Sequence, residues 1–312
     1  MVNLFNNMYS LCTGNSSVQS SLRALIRFFA NKALPIFFWV TKNNKEYRLI
    51  PSKKNPETIV SLTSFPDRIN KVWLVIEVLL RQTRKPDKIK LWLSKDQFSS
   101  IEVLPNRLLS LQKRGLEIEL RKGNLRSHKK YFYALKEYPD AKLITVDDDI
   151  FYRTNMIEKL LLFAENYPKC IVANYVRKIK ITDDELSPYN EWSFYTSAGE
   201  PNYLAFFGSG GGTLFQPQIF PRETLDKETF MQICSSADDV WLNLMTRINN
   251  FKVVKTDLET INLLPITGSL QNLTLSSVNL MGQNDTQIDA VRKFCIEKFN
   301  KDPMKIAQFI SN

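Results

Sequence analysis

From Ile59 onward, short apolar runs alternate with stretches of helical spacing. Residues 59–62 are an apolar run of strand length, followed by a polar loop at 63–69 and a helix predicted over 71–82 with Asn70 as its cap. A second strand at 89–93 follows the breaker at Pro86, and a helix is predicted near 104–113. Gly115 opens a third strand at 116–120, whose end is marked by Gly123. A helix at 127–138 closes at Pro139, and a fourth strand occupies 143–146. Asn155, with Glu158 three residues later, starts the helix predicted at 156–166. This alternation predicts an α/β fold with a mostly parallel sheet flanked on both faces by helices. Ligands of such sheets lie outside the carboxyl ends of the strands, here at 64–68, 94–96, 122–130 and 147–149. Past 170–174 the alternation fades, and 179–215 is rich in Tyr, Trp, Phe, Gly and Pro. That region is expected to be the second half of the same body, built to hold another molecule.

The first 55 residues follow another pattern and are expected to form a basic amphipathic extension to a domain spanning 56–312. Of the net charge of +10, this stretch carries +7: Arg23, Arg27, Lys32, Lys42, Lys45, Arg48, Lys53 and Lys54 against Glu46 alone. Between these charges lie Leu22, Leu25, Ile26, Phe28, Phe29, Leu34, Ile36, Phe37, Phe38, Trp39 and Val40, with Pro35 expected to break the run. The uninterrupted apolar stretch is far short of the ~20 residues that a spanning helix needs. Basic flanks and bulky aromatics suit a helix lying in an anionic membrane interface, and a helix packed on the protein's own body with a solvated basic face fits equally. No nucleic-acid motif accompanies the charge, so no nucleic-acid partner is expected. The first 21 residues hold no basic leader region and no small-residue cleavage site, so a secretory signal is not expected. Cys12, Cys170, Cys234 and Cys295 form no CxxC pair, which argues against a zinc site or disulfide framework and fits a cytoplasmic protein resting on the inner face of the membrane.

Asp147, Asp148 and Asp149 stand at the end of the fourth strand. Adjacent like charges repel and Asp is a poor strand former, so such a cluster points to a neutralising cation; an acidic turn capping the next helix is the simpler alternative. Two carboxylates at i and i+2 can face one hard ion such as Mg2+ or Mn2+. An EF-hand starting at Asp147 is excluded, because Tyr152 would occupy the position that requires Gly. Ser127, His128, Lys129 and Lys130 open a helix after the third strand, where free N–H groups favour phosphate; a solvated helix face explains the lysines as well. His128 is the chain's only histidine, and a lone histidine is more often structural than catalytic. Four of the ten glycines fall within 208–212, which demands close backbone approach or a turn between strands. Asp238 and Asp239 start a further helix, where the dipole alone would favour them.

Taken in order, these pieces resemble nucleotide-sugar glycosyltransferases of the GT-A fold. The resemblance rests on Val60-Ser61-Leu62-Thr63-Ser64-Phe65-Pro66 as first strand and nucleotide loop, Asp147-Asp148-Asp149-Ile150-Phe151 as the DXD motif, Gly210-Gly211-Gly212 and Asp238-Asp239-Val240. The order of these motifs also looks like beta-1,3-galactosyltransferase and Fringe-type enzymes, though the intervening sequence does not, and the chain looks more like a bacterial surface-polysaccharide enzyme. The resemblance implies Mn2+ or Mg2+ held mainly by Asp149, with Asp147 at the metal or the ribose, Thr63, Ser64, Arg68 and Asp148 at the nucleotide and Lys129 or Lys130 at the diphosphate. It implies Asp239 as the base, with Asp238 as its rival, and places Gly210, Gly211, Gly212 and Trp192 toward the acceptor. The implied partners are a nucleotide-sugar donor such as a UDP-sugar and a glycan or lipid-linked acceptor. GT-A enzymes often add a histidine to the metal from the C-terminal half, and this chain has none there. Tyr189, Phe194, Tyr195 and Tyr203 join Trp192 as aromatics able to stack on sugars, although core packing explains each of them too. The polar stretch 267–286 is expected to be a loop that closes over the donor. The expected activity is an inverting, metal-assisted sugar transfer; nucleotidyl or phosphoryl transfer and non-catalytic carbohydrate binding are the alternatives on the same fold.

Overall fold

The computed structural model describes residues 1–14, 16–50, 57–183, 185–259, 262–267 and 283–305. Strands β1 (Thr58–Thr63), β2 (Lys88–Ser94), β3 (Leu116–Arg121), β4 (Lys142–Val146) and β5 (Cys170–Ala173) are followed by five short ones: β6 (Val176–Lys178), β7 (Ile181–Thr182), β8 (Glu185–Leu186), β9 (Ser193–Phe194) and β10 (Ala205–Phe207). The chain then returns to the large sheet with β11 (Gly211–Phe215) and β12 (Lys252–Lys255). Seven strands form that sheet in the order β12-β5-β11-β4-β1-β2-β3. All of its pairings are parallel except those of β11, which runs antiparallel to both β4 and β5. The β11–β4 register slips between Gly211 and Thr213, where Gly212 takes φ +88°, a left-handed conformation suited to glycine at a bulge.

Alternation along each strand divides the core in two. Val60, Leu62, Ile144 and Val146 point into one apolar cluster, and Leu143, Ile171, Ala173 and Phe215 into the other. The first cluster is covered by α2 (Ser17–Thr41), which follows α1 (Val2–Ser10), by α4 (Val72–Leu80), which follows the single turn α3 (Pro66–Ile69), and by α7 (Met156–Asn166); α5 (Asn106–Leu109) packs at its side. The second takes α6 (Lys129–Glu137), α8 (Lys227–Ile233), α9 (Asp238–Ile248) and the last helix, Asn284–Phe299. This is the mixed α/β architecture that the alternation predicts.

Several local expectations are corrected. Residues 66–69, expected in a loop, form one helical turn, because Pro66 at its first position is already set at a helical φ and has no N–H to lose. Asn70 closes that turn instead of capping α4, and α4 starts after Lys71 without a side-chain cap. Asn155 likewise gives α7 no side-chain cap bond. Pro35 does not break α2, which runs unbroken for 25 residues. Packing of Ile26, Ala30, Leu34 and Phe38, each no more than 5% exposed, offsets the lost hydrogen bond. The boundary expected between residues 55 and 56, and residues 268–282 of the expected closing loop, lie outside the described residues.

Candidate active site

The carboxyl ends of β1 and β4 lie side by side and place the residues after them at one edge of the sheet. Alternation carries into the aspartate triplet: Asp147 and Asp149 have side chains 42% and 34% exposed, whereas that of Asp148 is 6% exposed. The inward Asp148 is an anchor. Its Oδ1 accepts from Arg68 at 2.8 Å and its Oδ2 from the Ser64 hydroxyl at 2.5 Å. Burial pushes the Asp148 carboxyl up against these two partners. Arg68 also contacts Asp149 Oδ2 at 2.8 Å, so one guanidinium ties α3 to two of the three aspartates.

Lys130, on α6 and 3% exposed, holds the other side. Its Nζ lies 2.9 Å from Asp147 Oδ1 and 3.1 Å from Asp238 Oδ2. Burial alone would lower this ammonium's pKa, and the two carboxylates outweigh it and keep it charged. Asp238 Oδ2 also accepts from Ser209 at 2.6 Å. Burial raises the Asp238 carboxyl, but Lys130 and its hydrogen bonds bring it below the usual range. Asp239, half-buried, has its Oδ1 on the Val240 N–H at 2.9 Å. Burial and then the neighbouring Asp238 push its carboxyl up to about 7. Asp149 is raised to about 7 by burial and then by Asp147. Adjacent acids with opposed shifts are the pattern of a site that divides charge between roles.

Glycines make this edge possible. A Cβ on Gly210 would stand 1.8 Å from Asp147 Oδ2, and one on Gly211 2.2 Å from Tyr175 Cβ. The Asp147 N–H donates to the Tyr152 hydroxyl at 2.7 Å and to Gly210 O at 3.2 Å, and that hydroxyl donates in turn to Gly210 O. Tyr152 is a site residue to which the sequence gives no role, and Ser209, inside the glycine-rich stretch 208–212, bonds Asp238 without that role having been expected.

Of the residues singled out in the sequence, Ser64, Arg68, Lys130, Asp147, Asp148, Asp149, Asp238, Asp239 and Gly210 therefore meet at one place. Others are engaged elsewhere. Thr63 Oγ1 donates to Trp92 O at 2.7 Å. Lys129 is buried, with Nζ on Asn124 Oδ1 at 2.9 Å, and burial lowers its pKa to about 8. Trp192 is 3% exposed, donates Nε1 to Ser187 O and packs on Tyr189 and Phe206, so its ring face belongs to the core. Tyr189 and Tyr195 are buried as well. His128 is fully buried: its Nε2–H donates to Cys234 O at 2.7 Å, its Nδ1 accepts from Tyr131, and its ring stacks on Phe230.

The carboxylates fit a divalent cation in part. Among the described residues no group of three His, Cys, Asp or Glu side chains stands ready to hold an ion alone. Lys130 takes only one oxygen of Asp147 and Arg68 only one of Asp149, which leaves one on each. Five carboxyls (Asp147, Asp148, Asp149, Asp238, Asp239) share two cations, Arg68 and Lys130, so acidic groups outnumber basic ones by three. Hard ions bound by one or two carboxylates and completed by phosphate and water match that set.

No family profile matches the chain, and no curated protein matches it in sequence. Solved structures similar to it include TarS of S. aureus, at 11% identity and TM-score 0.45, covering 81% of this chain and 43% of that one. The chain thus spans less than half the length of that protein. TarS residues 1–349 in complex with UDP-GlcNAc match at 12% identity and TM-score 0.47, covering 81% and 71%. The mannosyltransferase PcManGT of Pyrobaculum calidifontis, in complex with GDP-Man and Mn2+, matches at 10% and 0.42, covering 92% and 79%. At such values function has to be argued from the side chains of the site.

Proposed function

We propose that the chain is a GT-A-type glycosyltransferase that moves a sugar from a nucleoside-diphosphate donor to the hydroxyl of a glycan or lipid-linked acceptor. The observation that carries this reading is the shared ammonium of Lys130, which joins Asp147 of the strand-end triplet to Asp238, the neighbour of a carboxyl poised near neutrality. One side of the site thereby offers Asp147 and Asp149 to a divalent ion and the other offers Asp239 to a proton. A bound Mn2+ or Mg2+ would neutralise charge on the departing diphosphate. Asp239 would take the proton of the attacking hydroxyl, since a base near pH 7 combines availability with proton affinity. Asp238 stays ionised beside Lys130 and raises Asp239. Arg68 and Ser64 fix Asp148, so that its neighbours in the triplet are presented outward. A single displacement with inversion follows from a base on the acceptor side, and a UDP-sugar is the preferred donor class.

The test is a thermal-shift and turnover screen of the full chain with UDP-, GDP-, CMP- and dTDP-sugars, with and without Mn2+. Metal-dependent stabilisation by one donor and release of nucleoside diphosphate are expected. Pyrophosphate release from a nucleoside triphosphate and a sugar phosphate would instead identify a nucleotidyltransferase, and no response to any donor would refute the reading.

A further inference from the structure

Helix α2 is apolar on two sides. One stripe, Ile26, Ala30, Leu34 and Phe38, is buried against the first core cluster. A second stripe, Val18, Leu22, Leu25, Phe29, Ile36 and Val40, recurs at spacings of three, four and, once, seven residues and is 46–74% exposed. Trp39 and Phe28 flank it, 62% and 56% exposed, with Lys42 Nζ 5.3 Å from the Trp39 ring centre and Lys32 Nζ 5.9 Å from that of Phe28. Helix α1 adds Leu4, Met8 and Leu11, exposed at the same helical spacing. A helix apolar all round is normally covered all round, and an exposed patch of this kind marks an interaction surface.

We propose that this face docks on the surface of an anionic lipid bilayer. Four exposed cations, Lys32, Lys42, Lys45 and Arg48, stand on α2 and the turn after it against Glu46 alone, while Arg23 is turned back onto Cys12 O and Gly14 O. A second copy of the chain would set four exposed cations against four, whereas an anionic headgroup layer pairs with them and takes the apolar stripe and aromatic rings below it. The helix is long enough to span, 25 residues or about 37 Å at 1.5 Å per residue. Its inner side is nevertheless fixed to the protein. Arg81, bonded to Glu77, donates to Thr41 Oγ1 at 2.8 Å and stacks on Phe38, while Asn31 Nδ2 donates to Pro265 O at 3.0 Å. Spanning would empty the sockets of Leu34 and Phe38 and carry Arg27 and Lys32 into hydrocarbon, so the helix lies in the interface.

The docked face and the candidate site share a segment. Asn31 Oδ1 accepts from the Thr267 N–H at 2.9 Å, and the Ile266 N–H donates to Asp149 O at 2.7 Å. That the acceptor arrives on a lipid rests on the transferase reading; the docking surface does not, and it is measured without turnover.

The test is co-sedimentation of the full chain with vesicles of phosphatidylcholine alone and with about one-third phosphatidylglycerol. Roughly tenfold tighter binding to the anionic vesicles is expected, weakened by high salt. The double variant Phe29→Ser/Ile36→Ser, altered only at exposed positions, should lose binding with an unchanged melting temperature. Of the five tryptophans, all described, Trp39 is exposed and the other four are no more than 8% exposed. Brominated lipids should therefore quench the wild type and not Trp39→Phe. Equal or absent binding to both vesicle types would overturn the proposal. So would a dimer in light scattering that the double variant dissolves, or bound protein that resists alkaline carbonate, which would make α2 a spanning helix.

Discussion

At the scale of single residues, the site stores unfavourable charge. Asp239, pushed up to about 7 from an ordinary value of 3.8, binds a proton in the fold that it releases when unfolded. Stability contributed by this proton is therefore lost as pH rises from about 4 through 7. Asp239→Asn, which keeps the Oδ1 bond to Val240, should raise stability at pH 8 by on the order of 1–3 kcal/mol, allowing for its partial exposure. The same change should cost transfer 100-fold or more. Denaturant melts and donor turnover check the two halves, and a variant that turns over normally would remove Asp239 as base. His128 has the opposite sign. Burial lowers its pKa to about 4 from 6.5, so its stabilising contribution is complete above pH 6.5 and fades as pH falls toward 4. Because Asp149 and Asp239 work the other way, the effect is read as a difference. The stability gap between wild type and His128→Gln should narrow by about 3 kcal/mol from pH 7.5 to pH 4. These roles were only half legible in the sequence. The spacing of Asp147 and Asp149 announced two outward carboxylates, because period two survives at a strand end. Nothing local announced that Lys130 would turn inward to two acids, because Asp238 lies more than a hundred positions away.

At the scale of elements, strands and the helices between them followed the apolar pattern, since residues buried on both sheet faces leave continuous runs. Caps and the course of α2 did not, because tertiary packing decides them. The end of α2 rests on a buried triad in which Glu77 bonds Arg81 and, at 2.7 Å, Arg114, whose Nε reaches Tyr47 O. Glu77→Gln would leave two buried guanidiniums without their counter-charge, and a loss of about 3–5 kcal/mol is expected. Amide exchange across 17–41 should rise before that of β1 and β4. Uniform exchange in both regions would show that the triad does not secure the helix separately.

For the whole molecule, the N-terminal helix is part of the structure that carries the site. Ile26, Leu34 and Phe38 at ~1.5–3 kcal/mol each amount to about 5–9 kcal/mol of burial, comparable to the net stability of a domain. A chain starting at residue 57 should therefore aggregate or melt far lower, which calorimetry and light scattering check. An equally stable truncated chain would mean that α2 adds little to the fold. Point changes on the outer stripe, not truncation, separate docking from folding.

Strand β11 is the one strand of the large sheet that runs against its neighbours, and this has a consequence for how such a chain can diversify. Because it runs backward, its beginning, not its end, meets Asp147, so the turn at 208–211 is fed by everything from β6 to β10. Insertions or exchanges within that small-sheet region can reshape one side of the candidate site while β1 and β4 still deliver Ser64 and the aspartates unchanged. The chain's topology keeps the residues around the aspartate triplet heritable as one contiguous block and leaves the segment that feeds β11 free to drift.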